Sequence, residues 1–221
     1  YLYFANIVGS TAGSLITGII LMDYWRIQTI AIWLALLGLC VGGILLIRSA
    51  LPRKALMKKL TVVGLVGAVI LGMSHLFFGQ LYERLQFKRR FKSNIHFQQL
   101  VENKSGVITT DKKGTVYGGG LYDGRFSVNL ARDVNNIRRL FLMFGWVPKP
   151  KRVLLIGLGS GSWATVLAHH PGLEKLTVVD INSGYLMIIQ GNPIVGGILK
   201  NPRVDIKIDD ARRWLKRYPQ Q

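Results

Sequence analysis

The chain has 221 residues, 49% of them hydrophobic, and its 29 Lys plus Arg against 11 Asp plus Glu give a net charge of +18. A soluble domain of this length is usually more polar, and so large an excess of cations calls for an anionic neighbour, either lipid headgroups or nucleic acid. The apolar residues crowd into residues 1–82, which excludes one evenly mixed globular domain and favours two parts.

Residues 1–22, 28–47 and 60–82 are three runs without a charged side chain. Each approaches the ~20 residues that cross a bilayer as a helix. Arg48, Arg53, Lys54, Lys58 and Lys59 lie between the second and third runs, and Arg84, Lys88, Arg89, Arg90 and Lys92 follow the third. Such juxtamembrane cations gain roughly 1 kcal/mol each on lipid headgroups, so the expected partner is a lipid bilayer and not nucleic acid. The first run is rich in small residues, with Gly9 and Gly13 one GxxxG step apart. Small residues let helix backbones approach closely in lipid, so this helix is expected to pack in a homodimer or on helices outside this sequence. Asn6 is placed to hydrogen-bond across helices, and His75, an ionisable residue inside a run, is a functional candidate. The single cysteine, Cys40, excludes an internal disulfide. The chain opens already apolar at Tyr1, with no charged start of the kind a signal peptide has, and stops just after a helix-like stretch at Gln221. Both ends are therefore expected to be cuts in a longer protein. Residues 1–92 form the expected membrane part.

Residues 93–147 read as a small β-rich segment. VITT (107–110) and TVY (115–117) are β-branched strands, Gly118 to Gly120 form a loop, and Asp123-Gly124 signals a turn before RFSVN. Residues 135–146 follow as an amphipathic helix, closed by Pro148 and Pro150. From 148 to 221 strands and helices alternate, as in a doubly wound α/β sheet. KRVLLIG is a continuous apolar strand, SWATVLAHH a helix, LTVVD (176–180) a second strand and VDIKI (204–208) a third, before the helix ARRWLKR.

The chemistry concentrates at Gly157-Leu158-Gly159-Ser160-Gly161-Ser162, between the first of these strands and its helix. Glycines there permit a tight turn and close approach of a ligand to the backbone, and the helix start adds unpaired N–H donors. Asp180 ends the next strand, 19 residues after Gly161. As an exposed strand-end carboxylate it can accept both hydrogen bonds of a ribose diol. Asp209 and Asp210 end the third strand, and Asp210 stands where S-adenosylmethionine-type folds, if this is one, contact the adenine. A dinucleotide fingerprint has GxGxxG, whereas the spacing here is GxGxG, which points to an S-adenosylmethionine-type site at Gly157, Gly159, Ser160, Gly161, Asp180, Asp209 and Asp210, with no metal. The alternative is a glycine loop that binds nothing.

Three stretches resemble the polyamine aminopropyltransferases, or spermidine synthases, over residues from about 100 to 218. They are KRVLLIGLGSGSWATVLAHHPGLEKLTVVDIN, LYDGRFSVN followed by ARD, and NPRVDIKIDDARRWL. The apolar beginning resembles the membrane-fused members of that family. The resemblance implies a methyltransferase-like Rossmann domain, C-terminally truncated, behind the transmembrane helices and the β-rich segment. It implies transfer of an aminopropyl group from decarboxylated S-adenosylmethionine to a small amine, with Asp123 on the substrate side. Several positions depart from the family. Ser160 and Ser127 stand where it has Asp and Gln, and Ile137-Arg138-Arg139 stand where it has Tyr-His-Glu. The family's catalytic acid would fall on the strand after residue 221, so no catalytic residue is assigned. The nucleoside half of the site matches and the amine half does not.

The expected function is accordingly a membrane-anchored aminopropyltransferase-like enzyme with an altered acceptor site. The alternatives are another S-adenosylmethionine-dependent transferase, a non-catalytic nucleotide-binding domain on a transporter-like bundle, or a soluble domain that only meets a partner. The two basic clusters tie under the positive-inside rule. The soluble part is placed on the cytoplasmic side of the inner membrane because a cofactor of this type is made in the cytosol.

Overall fold

The computed structural model describes residues 1–218, in two compact units, Tyr1–Phe91 and the chain from Lys92 onward. The first unit contains α1 (Leu2–Tyr24), α2 (Ile27–Ile47) and α3 (Arg53–Phe78), each long and apolar enough to cross a membrane by length and composition. A π-turn at Ile16–Leu21 interrupts α1. The helices α2 and α3 pack together, with a Cβ on Gly67 lying 3.6 Å from Leu39 Cδ1. In α1 a Cβ on Gly9, Gly13 or Gly18 would meet no atom within 4 Å among the described residues. The third helix differs from its apolar run of 60–82. It starts at Arg53, because the Lys-rich first turns are good helix formers that hydropathy does not register. It stops at Phe78, because Gln80 takes the left-handed conformation (φ 53°) before the short α4 (Leu81–Phe87).

The second unit begins with an antiparallel meander of β1 (Gln99–Asn103), β2 (Gly106–Thr110), β3 (Thr115–Gly118) and β4 (Leu121–Arg125), in that order. β1 has no strand-like pattern of its own and is formed by its pairing, with Val101 opposite Ile108. The turn between β3 and β4 is Gly119-Gly120, at φ 56° and 82°, between the paired Gly118 and Leu121. Two successive positive φ values match the twist of a two-residue hairpin. β4 therefore runs through Asp123-Gly124, which is a bulge and not the expected turn. Tyr117 pairs with Tyr122 but Thr115 with Arg125, and Gly124 sits at φ 105°. The following helix, α5 (Arg138–Trp146), starts later than 135 because Asn136 is left-handed (φ 56°). Asp133 caps it, accepting the N–H of Ile137 at 2.7 Å and of Arg138 at 2.9 Å.

A parallel sheet of β5 (Arg152–Ile156), β6 (Lys175–Asp180) and β7 (Val204–Ile208), ordered β5-β6-β7, completes the unit. The helices α6 (Ser162–Ala168) and α7 (Gly184–Gln190), a 3-10 turn at Gly196–Lys200 and α8 (Ala211–Arg217) connect and follow these strands. The central strand β6 buries Leu176, Val178 and Val179, as its apolar run requires when both faces are covered. Meander and parallel sheet share one core, in which Ile108, Val116, Ile137 and Leu140 join Ala164, Leu167, Ile188 and Ile189. Each large buried side chain contributes about 1.5–3 kcal/mol. The two halves touch closely at the start of α7, where a Cβ on Gly184 would come within 2.9 Å of Val101 Cγ1 and 3.0 Å of Ile108 Cδ1.

Candidate functional site

The loops beyond the C-terminal ends of β5, β6 and β7 enclose an open cleft of about 900 Å³. Open α/β sheets hold their ligands at this edge, and small-molecule sites span about 300–1,000 Å³. Its floor is the loop after β5. Gly157, Gly159 and Gly161 all take positive φ, at 90°, 52° and 74°, which only glycine adopts without strain. Gly159 has a second reason to be glycine, since a Cβ there would lie 3.1 Å from the Asp123 carbonyl oxygen and 3.3 Å from Asp123 Oδ1.

Asp180 braces this loop. It is 7% exposed, and each carboxylate oxygen accepts a main-chain N–H, from Leu158 at 2.6 Å and from Asn182 at 2.8 Å. The expectation of an exposed carboxylate is corrected here, because the end of β6 tucks beneath the glycine loop. Each oxygen keeps a second lone pair. At the start of α7 the Asn182 side chain accepts the Gly184 N–H at 2.9 Å.

The other expected residues divide. Gly157, Gly159, Ser160, Asp123, Asp209 and Asp210 line the cleft with Asp180. Gly161 lies behind the loop, where a Cβ would meet Val195 at 3.4 Å and Ile198 at 3.5 Å, so its role is packing. The Ser160 hydroxyl turns to Ser162 Oγ at 3.1 Å and is sealed by Gly124. Asp209 pairs with Arg213 and Arg217, and the Arg213 hydrogen bond holds its carboxyl below the ordinary range against the effect of burial. Asp210 caps α8 by accepting the Arg213 N–H at 2.9 Å. Both acids at the end of β7 thus serve the start of α8 as well as the cleft wall. Of the acceptor-side positions, Ile137 is buried in the core and Arg138 pairs with Asp133.

Several cleft residues have no sequence signature. Ile156, Ile181 and Leu215 form apolar walls with 59%, 61% and 40% of their surfaces exposed. Ile181 could be found as the residue after a strand-end acid, but the other two carry only generic apolar identity. Tyr185 donates its hydroxyl to Asp123 Oδ2 across 62 positions of sequence. Burial raises the Asp123 carboxyl, the Tyr185 bond lowers it again, and Asp180 raises it. Burial and Asp123 together push the Tyr185 phenol far up, so it stays protonated. Asn135 ties β4 to the glycine loop. Its Nδ2 donates to the carbonyls of Arg125 and Ser127, each at 2.8 Å, and lies 3.0 Å from Ser162 Oγ. Its carbonyl accepts Trp163 Nε1 at 2.8 Å.

The second unit is thus an α/β fold with an open cleft at the C-terminal ends of its parallel strands. No family model matches the chain. It is 36% identical over 65 residues to the polyamine aminopropyltransferase of Bacillus subtilis (strain 168), covering 29% of this chain and 24% of that one. It is 34% identical over 68 residues to the polyamine aminopropyltransferase of Mycobacterium tuberculosis (strain CDC 1551 / Oshkosh), covering 30% and 13%. The matches span a quarter or less of these relatives and establish a weak homology to them. Among solved structures, spermidine synthase from Thermotoga maritima aligns with a TM-score of 0.39 at 17% identity, covering 51% of this chain and 40% of that one. A spermidine synthase in complex with the transition state analogue AdoDATO aligns at 0.40 and 15%, covering 55% and 43%.

Proposed function

We propose that the second unit binds the adenosine part of decarboxylated S-adenosylmethionine and belongs to a membrane-anchored, aminopropyltransferase-like enzyme with an altered acceptor site. The observation that carries this reading is the cleft at the strand ends, where the glycine loop, Asp180 and Asp123 converge. Sequence homology to polyamine aminopropyltransferases supports it independently. The remaining lone pairs of Asp180 suit a ribose diol, and Ile181 and Leu215 suit the faces of a base.

In the transfer an amine nitrogen attacks the propyl carbon next to the sulfonium. The C–S bond breaks, its electron pair returns to sulfur, and neutral methylthioadenosine leaves. The amine then sheds one proton to a base. The cleft residues bind and orient the nucleoside and its charged end. An altered acceptor accords with the buried Ile137 and the paired Arg138, neither of which can meet a cationic amine. A second reading, a nucleotide sensor without catalysis, is favoured by the engagement of Asp209 and Asp210 with α8.

The membrane anchor is proposed from α1, α2 and α3, and the cytoplasmic side of the inner membrane from where such a cofactor is made. The membrane partner is the bilayer, with a homodimer or further helices against α1. Titration calorimetry of the full-length protein with decarboxylated S-adenosylmethionine, its intact parent and methylthioadenosine tests the reading. Binding of methylthioadenosine is expected, and transfer to an amine separates enzyme from sensor. Failure to bind all three overturns it.

A further inference from the structure

We propose that Asp123 receives the cationic end of the ligand in the cleft, and that Tyr185 is the positioning residue that aims it. The inference rests on the nucleoside reading above and deepens it by assigning the charge recognition.

Asp123 is half-buried in the cleft wall, on the bulge of β4. Its Oδ2 accepts the Tyr185 hydroxyl, and its Oδ1 lies against Gly159, 3.3 Å from where a Cβ would be. The carboxylate is thus held at one oxygen by the phenol, with the other at the turn of the glycine loop. No cation pairs with it among the described residues, whereas Asp133, Asp205 and Asp209 each have an Arg or Lys partner. The second acid of this wall, Asp180, receives only main-chain N–H groups. A partly desolvated carboxylate without a counter-charge is costly unless a ligand supplies the charge, so the vicinity of Gly159 favours a sulfonium or ammonium group.

Tyr185 is built into this arrangement from the opposite side. A Cβ on Gly118 of β3 would collide with the Tyr185 hydroxyl, although Gly118 takes no left-handed conformation that would itself require glycine. The glycine at 118 therefore serves the phenol, leaving room for it to reach Asp123. A tyrosine needed only for packing would not require that space at its oxygen.

The test measures affinities of the full-length protein for decarboxylated S-adenosylmethionine and for methylthioadenosine, which shares the adenosine and the sulfur but carries no charge. Asp123→Asn is expected to weaken the sulfonium ligand about tenfold or more, because a charge-assisted contact is lost, while methylthioadenosine changes less than about twofold. Tyr185→Phe keeps the ring and removes one oxygen. It is expected to shift the ratio of the two affinities in the same direction, and Gly118→Ala to copy it by displacing the phenol. Equal weakening of both ligands, or an unchanged ratio in Tyr185→Phe with the melting temperature preserved, overturns the proposal and leaves the nucleoside reading standing. A wild-type protein that binds neither ligand overturns both.

Discussion

Asp180 has two duties that a single substitution separates poorly but two measurements separate well. It holds the Leu158 and Asn182 N–H groups, and it lines the cleft. A hydrogen bond to a charged group is worth about 1.5–3 kcal/mol. Asp180→Ala should therefore weaken methylthioadenosine binding roughly ten- to a hundredfold, since 1.4 kcal/mol is a factor of ten. It should also lower the melting temperature, because the glycine loop loses its brace. A lower melting temperature with unchanged affinity in calorimetry would restrict Asp180 to the brace. Asp123 works in the opposite sense. Burial raises its folded-state pKa above the ordinary carboxylate value, so its charge opposes folding. The penalty is absent at a pH below the unfolded-state value, grows as pH rises toward the raised value, and is complete above it. Asp123→Asn should raise the melting temperature at neutral pH and leave it unchanged well below pH ~4, where the carboxyl is neutral in the folded and the unfolded chain alike. Melting curves across that window check the sign. A residue that destabilises the fold while serving the cleft is a common feature of functional sites.

At the level of elements, much of the second unit was legible because its signals are local. The apolar run of β6, the glycine loop after β5 and the acid at the end of each following strand are read from neighbours in sequence. The meander was less legible. Gly119-Gly120 and Asp123-Gly124 are both turn signals, and only pairing decides that the first turns and the second bulges. The Asp123–Tyr185 bond and the Asn135 network were invisible because their partners are far apart along the chain. In α3 the hydropathy of the run could not reveal two first turns bearing Arg53, Lys54, Lys58 and Lys59. The bulge yields a prediction. Gly124→Ala would force an L-residue to φ 105° and bring its Cβ to 2.5 Å from Ser160 Oγ. It should cost about 1–3 kcal/mol, seen as a lower denaturant midpoint. Gly191→Ala, where a Cβ meets nothing within 4 Å, should not produce that loss.

For the whole molecule, three apolar helices and basic flanks predict retention in the membrane fraction after high-salt washing without detergent. Release into the soluble fraction would refute the anchor. The side of the membrane is a separate question, since the charges tie and the assignment rests on cofactor supply. In a Cys40→Ser background, Lys104→Cys should resist an impermeant thiol reagent applied to intact cells. Rapid labelling would reverse the topology.

The shared core of the second unit carries a further consequence, for cooperativity. The prolines at 148 and 150 look like a seam along which the chain could be cut into a β-rich piece and a nucleotide-binding piece. The side chains that would hold either piece together lie partly in the other, with Ile108, Val116 and Leu140 in the same cluster as Leu167 and Ile188. Severed there, neither fragment would keep a dry interior. The meander is thus one wall of the same packed core, which also takes in Leu158 of the glycine loop. A lid that opens to admit a ligand would have to be sought in the loops above the sheet, because the boundary suggested by the prolines is not a hinge.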